Sequence, residues 1–187
     1  MLRAAACLVG RDAAAAAALL ATGPYSRDER QEAVRTLRAA ERCLRLRDGL
    51  ATSPLLLRGA LAESLYEAQF AQPPAAREPA AAATALLDGA AAAEHADVAP
   101  AFSLAHCAAA QQPALVRGLL AADPESAAEG QALQALNPVF SQCVTAGTRV
   151  NIDRGSIRAL LAESLYRWAV VQRDGASSPW AAAAPAN

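Results

Sequence analysis

Leu61-Ala62-Glu63-Ser64-Leu65-Tyr66 recurs, residue for residue, as Leu161-Ala162-Glu163-Ser164-Leu165-Tyr166, 100 positions further on. The same shift holds without a gap back to Cys7, which falls on Cys107. Cys43 falls on Cys143, Leu19-Leu20-Ala21 on Leu119-Leu120-Ala121, Pro24 on Pro124 and Arg58 on Arg158. Seventeen of these 60 positions are identical. Alanine bias could supply scattered matches. It could not supply both cysteines, the proline and a six-residue block in one register. The chain is therefore two copies of one unit.

Each copy holds about 65 residues, so its own core is modest, and a covalent staple or packing against its twin would help it. Ala, Leu, Arg and Glu dominate, which favours helix. Asp12 is placed to cap a helix through Leu20-Ala21, which Gly23-Pro24 ends. Ser26 with Glu29, repeated as Ser126 with Glu129, is a capping-box pattern for a second helix reaching about Cys43. A loop with Gly49 or Gly147 follows, and Arg149 to Ile152 reads as a short extended piece. A third helix starts near Ser53-Pro54 and runs to about Phe70. Its copy runs from about Asp153 to Gln172. Pro113 and Pro138 are expected to open or kink helices of the second copy.

The expected architecture is all-α: two tandem three-helix units joined by a partly helical Ala-rich linker. The first unit covers 1–71, the linker 72–101, the second unit 102–172 and a flexible tail 173–187. Within the linker, Ala80 to Ala93 reads as helix, with Asp88-Gly89 as a potential interruption. Trp180 in the tail either docks on the body or is exposed.

The net charge is −1, from 17 arginines and 18 acids. Nothing in that balance attracts nucleic acid or an anionic membrane. The longest uncharged stretch, Val98 to Val116, holds Pro100, His106, Gln111-Gln112 and Pro113, which argues against a membrane span. Arg11-Asp12 cuts the first apolar run too short for an intact signal peptide. Ala4-Ala5-Ala6-Cys7 resembles a lipoprotein processing box, but Cys107 accounts for Cys7 more simply.

The cysteines carry the strongest chemical signal. Each unit spaces its pair by 36 residues. If the first two helices form an antiparallel hairpin turning near residues 24–25, both cysteines reach its open end, and Cys7–Cys43 and Cys107–Cys143 disulfides become geometrically reasonable. The alternatives are four buried thiols or a metal site. The second is disfavoured because there is no Cys-x-x-Cys pair and the histidines are His95 and His106 alone. His106 reads as a surface or linker residue.

On the third helix, with Leu61 centring the buried face, Leu57 and Leu65 fall beside it. Arg58 lies on the flank, Tyr66 further round the same side, and Glu63 points away. Arg58 is then expected to reach carbonyls at the end of the second helix, near Cys43. Glu63-Ser64 and Glu163-Ser164 either face the partner unit across a pseudo-two-fold axis or face solvent. Arg58, Glu63, Ser64 and Tyr66, with Arg158, Glu163, Ser164 and Tyr166, are the candidate interface, and a groove between the units is the expected binding surface. No nucleophile–base pair and no Gly-rich phosphate loop can be assembled. The chain is not expected to be an enzyme, and no cofactor or metal is implied.

The layout resembles an uncharacterised group of small exported alphaproteobacterial proteins. The resemblance rests on Cys7, Leu19-Leu20-Ala21, Pro24, Cys43 and the Arg58-to-Tyr66 helix, with their copies from Cys107 to Tyr166. It implies an exported helical protein with disulfides, and it brings no activity with it. The leader that export would need is not present in this sequence. The expected function is therefore non-enzymatic: a disulfide-stapled binding or structural protein of the bacterial periplasm or exterior, whose partner is an unidentified protein, peptide or small ligand. The alternative is a cytosolic helical-repeat scaffold with reduced cysteines.

Overall fold

The structure, a computed structural model, describes residues 1–44, 51–75, 86, 87 and 89–179. In these residues the fold is all-α. The first unit is built from α1 (Leu2–Arg11), α2 (Ala13–Ala21), α3 (Arg27–Leu44) and α4 (Pro54–Gln69). A short α5 (Gly89–Glu94) precedes the second unit. That unit comprises α6 (Ala99–Gln111), α7 (Pro113–Leu120), α8 (Ala127–Cys143) and α9 (Arg154–Asp174), and a 3-10 turn (Gly175–Ser177) is the last element among the described residues.

The expected three-helix unit is thus a four-helix unit. Asp12 does cap a helix: its Oδ1 accepts from the Ala15 N–H at 2.9 Å. The residues before it form a separate helix, and Asp12, at φ −154°, is also where α1 stops. The two helix axes bend by 115° there. The second unit breaks at the equivalent place, with Gln112 at φ −136° and ψ 61°, outside the helical region, and Pro113 in the first turn of α7, where its missing N–H costs nothing. Pro138 lies inside α8, which continues from Ala127 to Cys143.

Both disulfides form, Cys7–Cys43 and Cys107–Cys143, with Cα separations of 6.0 and 5.7 Å. The straight hairpin is not the reason. Because the first helix is broken, the bond ties α1 to α3 and α6 to α8. The α2 and α7 segments are left to turn inward.

α4 and α9 cross at the centre of the molecule and make its most extensive helix pairing. Every residue from Leu57 to Tyr66 is buried, as is every residue from Ile157 to Gln172. A helix buried all round carries little one-sided hydrophobic pattern. This is why the pattern placed Glu63 away from the apolar face; of its two expected surroundings the partner unit is the one found and solvent is not, since Glu63 is 4% exposed and Glu163 1%. At the crossing point Gly59 meets Ala159, its own counterpart in the duplication. A Cβ on Gly59 would lie 2.3 Å from the Ala159 Cα. The two backbones approach this closely only because one of the pair has no side chain.

One hydrophobic core runs through both units, and Leu86 and Leu87 of the expected linker belong to it. α6 begins inside the expected linker and α9 ends beyond the expected boundary at 172. The start of the expected tail is folded as the 3-10 turn, and Ser178 is buried. Gly49, residues 80–85 and 88 of the expected Ala80–Ala93 helix, and Trp180 lie outside the described residues, while 89–93 of that stretch are helical in α5.

Candidate functional site

Ser26, Glu29, Arg58 and Glu63, polar residues that the duplication repeats, come together with their copies in two matching clusters beside the α4–α9 crossing. Arg58 does not reach the end of α3. Its Nη1 donates to the Leu19 carbonyl at 2.9 Å and to Thr22 Oγ1 at 3.1 Å, and its Nη2 to the Leu20 carbonyl at 3.4 Å. These groups lie at the end of α2, whose last carbonyls lack helical partners and favour a cation. Its other edge crosses to the second unit, where Nε donates to Glu163 Oε2 at 2.9 Å and Nη2 to Glu163 Oε1. Arg158 mirrors this. It donates to the carbonyls of Leu119, Leu120 and Ala122, and crosses to Glu63 at 3.1 and 2.6 Å. The exchange is reciprocal, as at an interface between two like subunits. Both forks are bidentate, the strong geometry for guanidinium and carboxylate.

The capping boxes feed the same clusters. Ser26 Oγ accepts from the Glu29 N–H at 3.0 Å, while the Glu29 carboxylate accepts from the Tyr25 N–H at 2.7 Å and pairs with Arg58 at 3.4 Å. Glu129 repeats every one of these contacts, with Ser126, the Glu125 N–H and Arg158. Tyr25 and Glu125 both take left-handed backbone angles, φ 64° and 63°, to make this turn. Each cluster also holds one arginine that the repeat does not predict. Arg167 donates to Glu163 Oε1 at 2.7 Å, and Arg154 pairs with Glu129.

Partner number sorts the carboxylates. Burial works against the charged form of Glu163, but Arg58 and Arg167 together outweigh it and hold its pKa below the usual range. Glu129 is likewise lowered, because Arg158, the Glu125 N–H and Arg154 outweigh burial. At Glu29 and Glu63, each paired with a single arginine, burial wins and the pKa is raised.

Of the remaining candidates, Ser64 and Ser164 are buried. Tyr66 stacks on Phe70 at 5.4 Å, and Tyr166 meets Phe70 edge-on at 6.3 Å. The expected groove at Glu63-Ser64 is therefore not a groove; that face is packed solid by the partner unit. His106 is not a surface residue either. It is half-buried on α6, and burial, then the Arg167 charge, lower its pKa.

Open concave surface lies beside Tyr66, where a groove of about 500 Å³ between the units is lined by Tyr66, Pro73, Pro113, Arg117 and Trp168, and around the α8–α9 loop. A groove of about 810 Å³ is lined by Leu104, Leu133, Phe140, Val150, Ile152 and Ile157, with Asn137, Ser141, Thr145 and Thr148 among its polar residues. Val150 and Ile152 also wall a smaller pocket of about 210 Å³, where Tyr25 and Leu55 of the first unit meet Asp97, Phe102 and Asp153. The sequence reading missed this surface, since Val150 and Ile152 had registered only as an extended piece.

Among the described residues no group of three His, Cys, Asp or Glu side chains is placed to hold a metal ion, and no single helix is long and apolar enough to cross a membrane. Comparison with the models of known families, with curated proteins and with solved structures found no match to this chain.

Proposed function

We propose that this chain is a non-catalytic, disulfide-stapled binding protein of the bacterial periplasm or exterior, in keeping with the exported group it resembles. Two disulfides on surface helices, with no free cysteine among the described residues, support an oxidising compartment and disfavour the scaffold with reduced cysteines. Binding belongs to the concave surface around the α8–α9 loop rather than to the α4–α9 seam. The observation that carries this is the open groove whose apolar wall, from Leu133 through Phe140 to Val150, remains half-exposed beside a fully packed core. Half-exposed apolar side chains converging on a concavity with a polar rim suit a small apolar ligand or an extended peptide.

The test is titration of the full chain with an environment-sensitive apolar dye. Saturable enhancement is expected, abolished by Val150→Asp with the melting temperature held within a few degrees. No enhancement, or enhancement indifferent to Val150→Asp, would remove the groove as the binding surface.

A further inference from the structure

We propose that the smaller pocket, at the junction of the two units, binds a small organic cation of the substituted-ammonium class, seated against Tyr25 and Phe102 with Asp97 as its counter-charge. This rests on the reading of the α8–α9 loop surface as a binding surface and names the chemistry of one part of it.

The pocket combines aromatic walls with acids. The Tyr25 and Phe102 rings lie 5.9 Å apart, tilted by 56°, and form a corner. Leu55 and Leu160 extend the apolar wall. His95, which does not line the cavity, stacks on Tyr25 at 4.2 Å and so holds that ring from outside. The charged lining residues are Asp97 and Asp153, both acids. Asp153 is fixed by its capping role, with Oδ1 accepting from the Ser156 N–H at 2.9 Å and Oδ2 from Ser156 Oγ at 2.6 Å, and these bonds keep it anionic. Asp97 is exposed. The negative field reaches the aromatic corner: the Tyr25 phenol is raised by burial first, then by Glu29 and Asp97.

Charge and shape together select the occupant. An anion would meet two carboxylates. A neutral apolar molecule would use the rings and leave the acids unanswered. An alkylated ammonium uses both, because the ring face and the carboxylate each attract its diffuse positive charge. A volume of about 210 Å³ suits a small free cation rather than a peptide. The site occurs once, since the counterparts of Tyr25 and Phe102 are Glu125 and Leu2.

The experiment titrates the full chain with choline and with its neutral isostere, 3,3-dimethylbutan-1-ol, by calorimetry. Saturable choline binding is expected, with the isostere about two- to fivefold weaker, the range a single exposed cation–π contact supplies. Tyr25→Gly should weaken choline about two- to fivefold and Asp97→Asn by up to about fivefold. Glycine accepts the left-handed backbone at position 25, so the first variant should keep its melting temperature. If it melts early, Asp97→Asn, at an exposed position, decides alone. Absent choline binding, equal binding of the isostere, or Asp97→Asn binding choline like the parent would each overturn the cation site. Dye binding in the outer groove separates the two claims. Dye without choline overturns this inference and leaves the binding surface; neither dye nor choline removes both.

Discussion

In the first unit Arg58 joins Glu29 of its own unit to Glu163 of the other, and the additional arginine, Arg167, goes to the crossing acid. In the second, Arg158 joins Glu129 to Glu63, and the additional arginine, Arg154, goes to the acid of its own unit. Both clusters contain two arginines and two glutamates. The balance is the same, and the distribution is reversed. A counterpart of Arg167 would stand at Glu67, and one of Arg154 at Pro54. The repeated residues thus fix the network, while the divergent ones decide which carboxylate in each cluster is doubly held. Charge neutrality of a buried cluster is the constraint; the position that supplies the second cation is free to drift.

The sharpest way to test that reversal is to neutralise the two crossing acids separately. Glu163→Gln removes the carboxylate shared by two buried guanidinium groups, Arg58, which retains Glu29, and Arg167, which retains the Leu20 carbonyl, and is expected to cost roughly 3–5 kcal/mol in urea unfolding. Glu63→Gln takes a carboxylate from one guanidinium group only, Arg158, which retains Glu129 and three carbonyls, and should cost clearly less. Equal costs would mean that Arg167 contributes nothing and that the two clusters are equivalent.

The disulfides should show no such asymmetry. Each closes a separation of 36 residues, so chain entropy assigns each about 4 kcal/mol. Replacing Cys7 and Cys43 with serine, or Cys107 and Cys143, should lower stability by similar amounts. A difference above about 2 kcal/mol would place the asymmetry of the molecule in its helix hairpins as well as its seam.

At the crossing the two units differ by one methyl group. Gly59→Ala forces a Cβ into the Ala159 backbone and is expected to cost about 1–3 kcal/mol. Ala159→Gly removes a methyl group and should cost about 1 kcal/mol, the helix penalty of glycine. The double exchange, Gly59→Ala with Ala159→Gly, should recover most of the first loss if the crossing is a true pseudo-two-fold contact. A double variant as unstable as the sum of the singles would refute that symmetry.

The register of the repeat exposed the cysteine pairing, the capping boxes and the boundaries of α4 and α9, because each depends on local spacing. The break at Asp12 was only half legible. An aspartate that caps one helix does not announce that another ends on it. The seam was hidden for a different reason. α4 is buried on every face, so treating Leu61 as the centre of one face turned Glu63 to the far side and could not decide between the partner unit and solvent. The repeat still contained the answer: Arg58, Glu63, Ser26 and Glu29 are among its repeated polar residues, with Gln31, Ser64 and Tyr66, and these four carry the network. Gly59 drew no notice because its counterpart is alanine; its role depends on a contact across the duplication. The α8–α9 loop surface gave no periodic signal at all.

The smallest expected effect, and the one that reads all four carboxylates, is the pH dependence. Glu29 and Glu63 have folded pKa values raised above the unfolded carboxylate value of about 4.3, so in that window the folded chain binds more protons than the unfolded one. Stability should therefore rise as pH falls from neutral through their folded pKa values. Glu129 and Glu163 are lowered, and their contribution is complete above about 4.3 and is lost as pH falls further through their folded values. Asp153, also lowered, adds to that loss. Stability against pH should then show a shallow maximum on the acid side of neutrality, followed by a fall. Glu63→Gln should flatten the rise and leave the fall, while Glu129→Gln should flatten the fall and leave the rise. Melting temperatures from pH 3 to pH 8 decide it. A parent curve that only declines from neutrality to pH 4, with Glu63→Gln unable to change its slope, would show that a single arginine partner holds Glu63 ionised as firmly as two hold Glu163.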